Sequence, residues 1–243
     1  MEIDNIRLND ATEIVGGFLE GNRLRTICTP NTEIVMMAKD DDNMKDIINK
    51  NDLVIPDGIG LIYGSKIKRK PLKERVTGFD LSIKLLEIAN MKGYSLYLLG
   101  GKEGVAKKAG ENIIKKYPNI KLAGFHNGYF KGSHIGHNNH EEELNLVNNI
   151  NQKKPDIIFV GLGFPKQEIW ISENRDRLNG KVIIGNGGTM DILSGNAKRA
   201  PVFFQRLGLE WFYRLIKEPS RIKRQILLPK FILTVLFSKN VIE

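Results

Sequence analysis

PDIIFVGLGFPKQE, residues 155–168, is the stretch that indicates the fold class of this chain. Four consecutive apolar residues, Ile157–Val160, are typical of a buried parallel strand, and a helical pattern begins after two glycines and a proline. Glycines let the backbone approach a ligand closely, and the first amides of a helix lack a partner within it. The stretch therefore predicts a strand, turn and helix that can hold an anion, with Lys166 and Gln167 in the first helical turn.

The same order of strand, glycine-rich turn and helix occurs before and after this stretch. An apolar run at 94–99 precedes a turn at 100–104, and another at 182–184 precedes a turn at 185–189. Parallel strands joined by right-handed crossovers have their carboxyl ends at one edge of the sheet, so we expect the three turns to converge there. Further strands are predicted at residues 24–28, 53–55 and 120–125. The pattern predicts an α/β protein with a Rossmann-like, mostly parallel sheet and flanking helices.

Composition limits the function classes. Of the 243 residues, 41% are hydrophobic and 27% are charged, as in ordinary globular proteins. The 37 basic and 28 acidic residues leave a net charge of +9, which predicts an anionic partner. One cysteine, Cys28, and a polar start without signal-peptide features favour a cytoplasmic location. Because no run of 18 apolar residues occurs, no membrane-spanning helix is predicted.

A candidate acid–base group follows the short apolar run at 53–55. Pro56-Asp57-Gly58 is typical of a turn at the end of a strand, which is the edge where open α/β sheets bind ligands. A carboxylate there can remove a proton from a hydroxyl nucleophile, beside Thr29 and Asn31 at the end of the preceding strand. The alternative is a turn aspartate that only accepts bonds from nearby amides.

Known nucleotide and metal motifs fit poorly. The dinucleotide fingerprint would need glycine or alanine where Lys166 stands, and no Walker A sequence is present. Asp40-Asp41-Asp42 has the spacing of an Asp-x-Asp metal motif, but no strand precedes it, so a solvated helix cap is the simpler interpretation. The four histidines lie between residues 126 and 140 in a loop without cysteine, which favours a polar surface loop over zinc. Neither a metal site nor a cofactor is predicted.

Residues 201–243 differ in composition from the rest of the chain. Phe203, Leu207, Trp211 and Leu215 recur at intervals of four, which predicts one amphipathic helix. The following sequence is first basic and then apolar, and from residue 206 onward the chain holds eight basic and three acidic residues. This composition predicts attachment to an anionic membrane surface.

Two alternatives to membrane attachment stay open for this segment. It can close on the domain or pair with a second copy of the chain, or its basic residues can bind nucleic acid. The apolar block Ile226–Phe237 argues against nucleic acid, which does not need many aliphatic side chains together. We therefore predict a peripheral membrane protein and no nucleic-acid partner, and leave a homo-oligomer possible.

Several blocks, in order along nearly the whole chain, resemble the WecG/TagA/CpsF family of glycosyltransferases. The blocks are Thr29-Pro30-Asn31, Pro56-Asp57-Gly58, Arg75-Val76-Thr77-Gly78-x-Asp80, Gly161-x-Gly163-x-Pro165-Lys166-Gln167-Glu168, and Gly185-x-Gly187-Gly188 through Lys198-Arg199-Ala200-Pro201 to Glu210-Trp211-x-x-Arg214. The resemblance implies an inverting, metal-independent transfer of N-acetylmannosamine (ManNAc) from UDP-ManNAc to the 4-hydroxyl of N-acetylglucosaminyl-diphospho-undecaprenol, in wall teichoic acid synthesis. It also implies peripheral attachment to the inner face of the plasma membrane through a basic C-terminal segment.

The residue patterns and the resemblance together lead us to expect particular roles for individual residues. Asp57 is expected to be the general base. The sugar pocket is expected to be lined by Thr29, Asn31, Arg75 and Gln167, and the nucleotide end to be held by Gly161, Gly163, Asn186 and Gly187. Arg214, Arg221 and Arg224 are expected to close over the site and stabilise the departing UDP, although phospholipid contact would explain the same arginines.

The expected organisation is a catalytic domain at 1–200 and an appendage at 201–243. Residues up to about 92 would supply the acceptor and base side, and residues 93–200 the nucleotide side. A cytosolic nucleotide-dependent oxidoreductase or a sugar-nucleotide-modifying enzyme is the alternative function, but it does not explain the apolar part of the tail. The sequence leaves the epimer of the donor sugar open.

Overall fold

The computed structural model describes residues 1–219, 222 and 226–238 and contains a six-stranded, all-parallel sheet flanked by helices. The strands are β1 (Arg25–Cys28), β2 (Leu53–Val54), β3 (Ser95–Gly100), β4 (Lys121–His126), β5 (Ile157–Gly161) and β6 (Val182–Gly185). Their spatial order is β2-β1-β6-β5-β3-β4. The α/β class, the parallel sheet and all six predicted strands are confirmed.

The order of the strands brings the two halves of the chain together in the middle of the sheet. β1 and β2 come from the first half, and β1 pairs with β6 through Thr26 and Ile183. β3, β4 and β5 lie on the other side of β6. Because every pairing is parallel, all six carboxyl ends lie at one edge. This edge carries the loops that follow each strand.

Twelve α-helices connect and cover the strands in the part of the chain that the structure describes. They are α1 (Leu8–Glu20), α2 (Thr32–Ala38), α3 (Asp42–Asn49), α4 (Ile59–Ile67), α5 (Gly78–Lys92), α6 (Val105–Lys116), α7 (Glu141–Lys153), α8 (Lys166–Asn174), α9 (Gly187–Leu193), α10 (Val202–Arg206), α11 (Glu210–Lys217) and α12 (Leu227–Phe237). Asn31 and Asp41 cap α2 and α3 by accepting hydrogen bonds from the backbone N–H groups of Ile34 and Met44. The helix-cap interpretation of Asp41 is therefore confirmed.

The central strands are buried on both faces. Ile157 and Phe159 of β5 belong to the core cluster on one side of the sheet, and Ile158 and Val160 to the cluster on the other. All four side chains are fully buried. A strand covered on both faces needs apolar residues at every position rather than at alternate ones, which is why the continuous apolar run predicted it correctly.

The prediction of one amphipathic helix over residues 203–216 is wrong. The segment forms two short helices, α10 and α11, which are separated at Gly208. Gly208 has a φ of +70°, and a Cβ there would lie 2.7 Å from the side chain of Ile59. The left-handed backbone ends α10 and redirects the chain, although the four-residue spacing of apolar side chains continues across the break.

Helix α12 packs with one face on the α/β domain. Phe231 and Val235 are buried in a small cluster with Met36 of α2 and Leu61 of α4. A Cβ on Gly64 would lie 2.8 Å from the Phe231 ring, so the glycine permits this close approach. Part of the apolar block assigned to a membrane is thus a core contact, as one of the alternatives proposed.

The rest of α12 and the helices before it expose apolar side chains. Leu233 and Leu236 are half exposed, and Phe237 is 83% exposed. On α10 and α11 the exposed apolar residues include Phe203 and Ile216. Among the described residues, none of the helices has the length and apolar character required to traverse a lipid bilayer. The division of the chain at residue 200 stays a prediction.

Candidate active site

A cleft of about 420 Å³ opens at the carboxyl edge of the sheet. Its lining includes every predicted site residue that the structure describes, namely Thr29, Asn31, Asp57, Arg75, Gly161, Gly163, Gln167, Asn186, Gly187 and Arg214. The other two predicted residues, Arg221 and Arg224, lie outside the described residues. Residues from both halves of the chain and from α11 thus meet in one cleft.

Asp57 is held in the cleft by backbone contacts on two sides. Its N–H donates a hydrogen bond of 3.1 Å to the carbonyl oxygen of Pro30, in the loop after β1. The backbone N–H of Gly78, the first residue of α5, lies near the Asp57 carboxylate and lowers its pKa. The next residue, Gly58, has no room for a side chain, since a Cβ would lie 2.9 Å from the backbone nitrogen of Thr32. The turn is therefore packed tightly against the N-terminus of α2.

Burial raises the pKa of Asp57 from 3.8 to about 6. The guanidinium groups of Arg214 and Arg75 and the N–H of Gly78 oppose this shift, whereas the carboxylate of Glu210 adds to it. The carboxylate is consequently ionised at neutral pH, with a proton affinity well above that of an ordinary aspartate. A carboxylate with a pKa just below the working pH suits general base catalysis.

A network of ion pairs forms one wall of the cleft. Arg75 bonds to Glu210 of α11, and the Nε of Arg199 lies 3.4 Å from the other oxygen of Glu210. The two terminal nitrogens of Arg199 donate to both carboxylate oxygens of Asp80, at 2.6 and 2.8 Å. Thr77 in turn donates to Asp80 at 2.6 Å. The network links α11 to the first turn of α5. The first residue of that turn, Gly78, lies next to Asp57.

The two glycine turns after β5 and β6 meet in the cleft. Gly163 has a φ of +75°, which favours glycine, and its N–H donates to the side-chain oxygen of Gln167 at 3.2 Å. A Cβ on Gly187 would lie 3.4 Å from the Cα of Gly163. Gln167 is only 5% exposed, and its amide nitrogen donates to Glu168 at 2.9 Å. Gln167 thus stabilises the turn after β5 through the hydrogen bond from Gly163, and it also lines the cleft.

Asn186 anchors the turn after β6. Its backbone N–H donates to the carbonyl oxygen of Val160 at 2.6 Å, and its side-chain oxygen accepts from the hydroxyl of Ser82 at 2.9 Å. The side chain is 2% exposed, and its amide nitrogen has no hydrogen-bond partner among the described residues. These bonds join the turn to β5 and α5, so the position of the turn is fixed before any ligand binds.

Glu168 is a buried carboxyl group behind the same turn. It is 4% exposed, and burial raises its pKa from 4.5 to about 7. One oxygen accepts from Gln167, while the other has no hydrogen-bond partner within the described part of the chain. Burial, followed by the charge of Glu168, raises the pKa of the Cys28 thiol well above its usual value. The cysteine is therefore a neutral core residue.

The first glycine turn opens into a neighbouring cavity of about 690 Å³. Gly100 pairs with Gly161, and a Cβ on Gly100 would lie 2.4 Å from the Gly161 carbonyl oxygen. The cavity lining includes Lys102, Lys166 and the exposed ring of Tyr129. Gly161 lines both cavities, so the three turns lie side by side along one edge, as expected, but only two of them face Asp57.

The candidate metal ligands do not come together. Across residues 1–219, 222 and 226–238, no group of three or more His, Cys, Asp or Glu side chains could hold a metal ion. His134, predicted to lie in a polar surface loop, is instead buried beside Phe130, with their ring centroids 4.5 Å apart. Burial lowers the pKa of His134, which favours the neutral imidazole.

Comparison with known protein families identifies the chain. The family model for the glycosyl transferase WecG/TagA/CpsF family matches residues 1–241. The chain belongs to this family.

Three relatives of this WecG/TagA/CpsF chain are each named N-acetylglucosaminyldiphosphoundecaprenol N-acetyl-beta-D-mannosaminyltransferase. The relative from Bacillus subtilis (strain 168) is 40% identical over 210 residues, which cover 86% of this chain and 78% of the relative. The relative from Bacillus spizizenii is 35% identical over 219 residues, covering 90% and 81%. The relative from Staphylococcus aureus (strain MRSA252) is 32% identical over 245 residues, covering 100% and 92%. The similarity extends over the cleft and the C-terminal helices.

Several residues of the cleft network in this WecG/TagA/CpsF chain were not assigned a role from the sequence. They are Thr77, Asp80, Arg199 and Glu210. All four lie inside the blocks that carry the family resemblance. Three of them are charged, but no spacing rule pairs Asp80 with Arg199, because these residues meet only through the fold.

Proposed function

We propose that this chain transfers ManNAc from UDP-ManNAc to the 4-hydroxyl of N-acetylglucosaminyl-diphospho-undecaprenol, in wall teichoic acid synthesis. The observation that carries the proposal is the Asp57 carboxylate, with a pKa of about 6, in a cleft that also contains Arg75, Arg214 and two glycine turns. The names of the relatives support the acceptor and the transferred sugar. The nucleotide donor and the roles of individual residues are our inference.

The proposed reaction is a single displacement. The 4-hydroxyl oxygen of the acceptor attacks the anomeric carbon of ManNAc while the bond from that carbon to the diphosphate oxygen breaks. Asp57 accepts the hydroxyl proton, and UDP leaves with the bonding electrons. Attack from the face opposite the leaving group inverts the configuration. The transfer links the sugar to oxygen 4 of the acceptor and releases UDP.

Cationic and amide groups of the chain stabilise the leaving diphosphate in this proposal. Arg214 faces the cleft beside Gly188, with its Nη1 3.5 Å from where a Cβ on that glycine would lie. The backbone of Gly161, Gly163 and Gly187 lines the same wall. Guanidinium and backbone N–H groups bind phosphate oxygens strongly, so they supply the charge that a divalent ion supplies in other enzymes. The proposed reaction is therefore independent of metal.

Substrate placement follows from the two halves of the cleft. Thr29, Asn31 and Arg75 lie with Asp57 on the side of the first half of the chain and would bind the sugars. The glycine turns and the adjoining cavity with Lys102 and Tyr129 come from residues 93–200 and would bind the nucleotide. Gln167 supports the turn between the two, where the diphosphate would lie.

We also propose that the enzyme binds the inner face of the cytoplasmic membrane through residues 201–243. An undecaprenyl acceptor stays in the bilayer, so the catalytic cleft has to approach the lipid surface. The exposed apolar side chains of α10, α11 and α12 lie in a segment that is itself basic, since residues 206–243 hold eight basic and three acidic residues. Basic and apolar groups together give reversible attachment to anionic lipid.

Titration with UDP-sugars and a soluble acceptor analogue tests this proposal. Full-length protein should form UDP from UDP-ManNAc only when the acceptor analogue is present, at the same rate with added Mg²⁺ or with EDTA. Loss of activity in EDTA that Mg²⁺ restores would refute metal independence. No disaccharide product from UDP-ManNAc, together with nicotinamide or flavin absorbance in the purified protein, would favour the oxidoreductase alternative.

A further inference from the structure

Glu210 lies at the junction between the C-terminal helices and the cleft. It is the first residue of α11, and its side chain is only 12% exposed. Both of its oxygens are engaged, one by Arg75 and the other by the Nε of Arg199. A carboxylate buried between two guanidinium groups is costly to separate from them, so these contacts fix the N-terminus of α11 against the α/β domain.

Arg214 depends on that attachment for its place in the cleft. It lies one helical turn after Glu210 on α11, so the two side chains are on neighbouring parts of one helix face. Gly208, with its left-handed backbone, separates α11 from α10, and α11 is only eight residues long. So short a helix has little stability of its own and takes its orientation from tertiary contacts.

The arginines that line the cleft differ in their main partners. Among the described arginines that line it, Arg75 and Arg199 form ion pairs with Glu210 and Asp80. The guanidinium of Arg214 lowers the pKa of Asp57, and it does so more strongly than that of Arg75. The bonds from Arg199 through Asp80 reach Thr77, and the N–H of the next residue, Gly78, lies near the Asp57 carboxylate and lowers its pKa. Glu210 is thus connected to Arg214 through helix α11. It is connected to the Asp57 side of the cleft through Arg199 and Asp80.

We propose that Glu210 is a positioning residue that fixes α11 on the domain so that Arg214 faces Asp57. Its carboxylate acts through Arg75 and Arg199 and does not touch the reacting atoms. The kinetic consequence rests on the proposed function. The structural consequence, the docking of α11, does not depend on the identity of the substrate.

Hydrogen exchange on the full-length protein tests the docking directly. In Glu210→Gln the backbone amides of residues 210–217 should exchange at least about tenfold faster than in the parent, because α11 opens locally more often. The matched control is Glu87→Gln, which removes the carboxylate of an exposed ion pair with Lys84 and should leave exchange in α11 unchanged. Equal exchange in the Glu210→Gln variant and the parent would overturn the proposal.

The pH profile separates positioning from simple charge effects. Glu210 raises the pKa of Asp57 and Arg214 lowers it. If Glu210→Gln only removed a negative charge, the acid limb of kcat/KM would move to lower pH. If Arg214 swings away, the limb moves to higher pH, as in Arg214→Ala. We expect the shift to higher pH, and a shift to lower pH would overturn the proposal.

A double-mutant cycle completes the test. Glu210→Gln and Arg214→Ala should each lower kcat/KM by about tenfold or more, and the double variant should be no worse than Arg214→Ala alone. Fully additive losses would show that Glu210 acts independently.

If Glu210→Gln does not fold, Glu210→Asp replaces it and should give intermediate exchange in α11. A parent protein that turns over no ManNAc donor would refute the proposed function and leave the exchange result standing.

Discussion

The guanidinium of Arg214 lowers the pKa of the Asp57 carboxyl, although the two residues are 157 positions apart in the sequence. Asp57 is delivered by the turn after β2, and Arg214 by a short helix after the α/β domain. The base and the cation of the proposed reaction therefore meet only when the C-terminal helices are docked. The cleft is complete only with residues beyond position 200.

The acid limb of the pH–rate profile should report Asp57. A general base must be ionised, and burial raises its pKa to about 6, so kcat/KM should fall as the pH is lowered through about 6. An ordinary aspartate near 3.8 would leave the rate flat down to about pH 5. Steady-state rates between pH 4.5 and 8 check this. A flat profile over that range would contradict the assignment.

Replacing Arg214 should move that limb upward. Without the guanidinium, burial and Glu210 raise the pKa of Asp57 with less opposition. Arg214→Ala is therefore expected to lower kcat/KM by roughly 10- to 100-fold and to move the acid limb above pH 6. Arg214→Lys keeps a positive charge and should move the limb less. An identical pH profile in Arg214→Ala would remove Arg214 from this role.

Glu168 should make the fold less stable as the pH rises. Its pKa is raised from 4.5 to about 7 in the folded state, so the folded state binds more protons than the unfolded one between these values. Stability that is present below pH 4.5 is then lost as the pH rises through 7. Glu168→Gln should raise the free energy of unfolding by about 2–3 kcal/mol at pH 8 and change it little at pH 4.5.

Urea unfolding of Glu168→Gln at the two pH values measures this difference. Glu87→Gln is the control, because Glu87 is a surface residue in an exposed ion pair. A stabilisation that is the same at pH 4.5 and pH 8 would show that titration of Glu168 does not contribute.

The two faces of α12 should respond differently to substitution. Phe231→Ala removes a buried ring and should cost about 3–5 kcal/mol of stability. Leu236→Ser with Phe237→Ser changes exposed side chains and should alter stability by less than about 1 kcal/mol, yet weaken cosedimentation with vesicles of anionic phospholipid. Undiminished vesicle binding by this double variant would contradict a role for α12 in attachment. A concentration-dependent dimer that dissociates in the variant would favour a second copy as the partner.

Gly100 should tolerate no side chain. Its φ is +136°, and a Cβ would lie 2.4 Å from the carbonyl oxygen of Gly161 in the neighbouring strand. Gly100→Ala should destabilise the protein by about 1–3 kcal/mol and displace the neighbouring turn after β5, whose Gly161 lines the cleft. Gly16→Ala in α1 is the control, since no atom lies within 4 Å and alanine favours helix by about 0.5–1 kcal/mol. Thermal unfolding of both variants measures the contrast.

The sheet could be predicted because its signals are local. Apolar runs such as Ile157–Val160, followed by glycine turns, occur in the sequence where buried parallel strands occur in the structure. The position of Asp57 followed from the same reasoning, since the carboxyl ends of parallel strands share an edge. A strand-end residue can therefore be placed in a cleft before its neighbours are known.

The remaining features depend on contacts that no local pattern encodes. The ion pairs of Arg199 with Asp80 and of Arg75 with Glu210 join residues that are 119 and 135 positions apart in sequence. Helix α4 was missed because it contains two glycines and buries Leu61 under α12 rather than under the sheet. The break at Gly208 was missed because the apolar spacing continues through it. At α4 and at Gly208, tertiary contacts override the local sequence pattern.

Turnover by Asp57→Asn tests the central claim most directly. Asparagine has nearly the same shape but cannot accept the hydroxyl proton, so with UDP-ManNAc and a soluble acceptor analogue we expect kcat to fall by about 10²- to 10⁴-fold at pH 8. Donor affinity and thermal stability, measured on the same sample, should be unchanged or slightly higher, because a partly buried carboxylate with a raised pKa is removed. A variant that folds, binds the donor and retains the parent kcat would exclude Asp57 as the base.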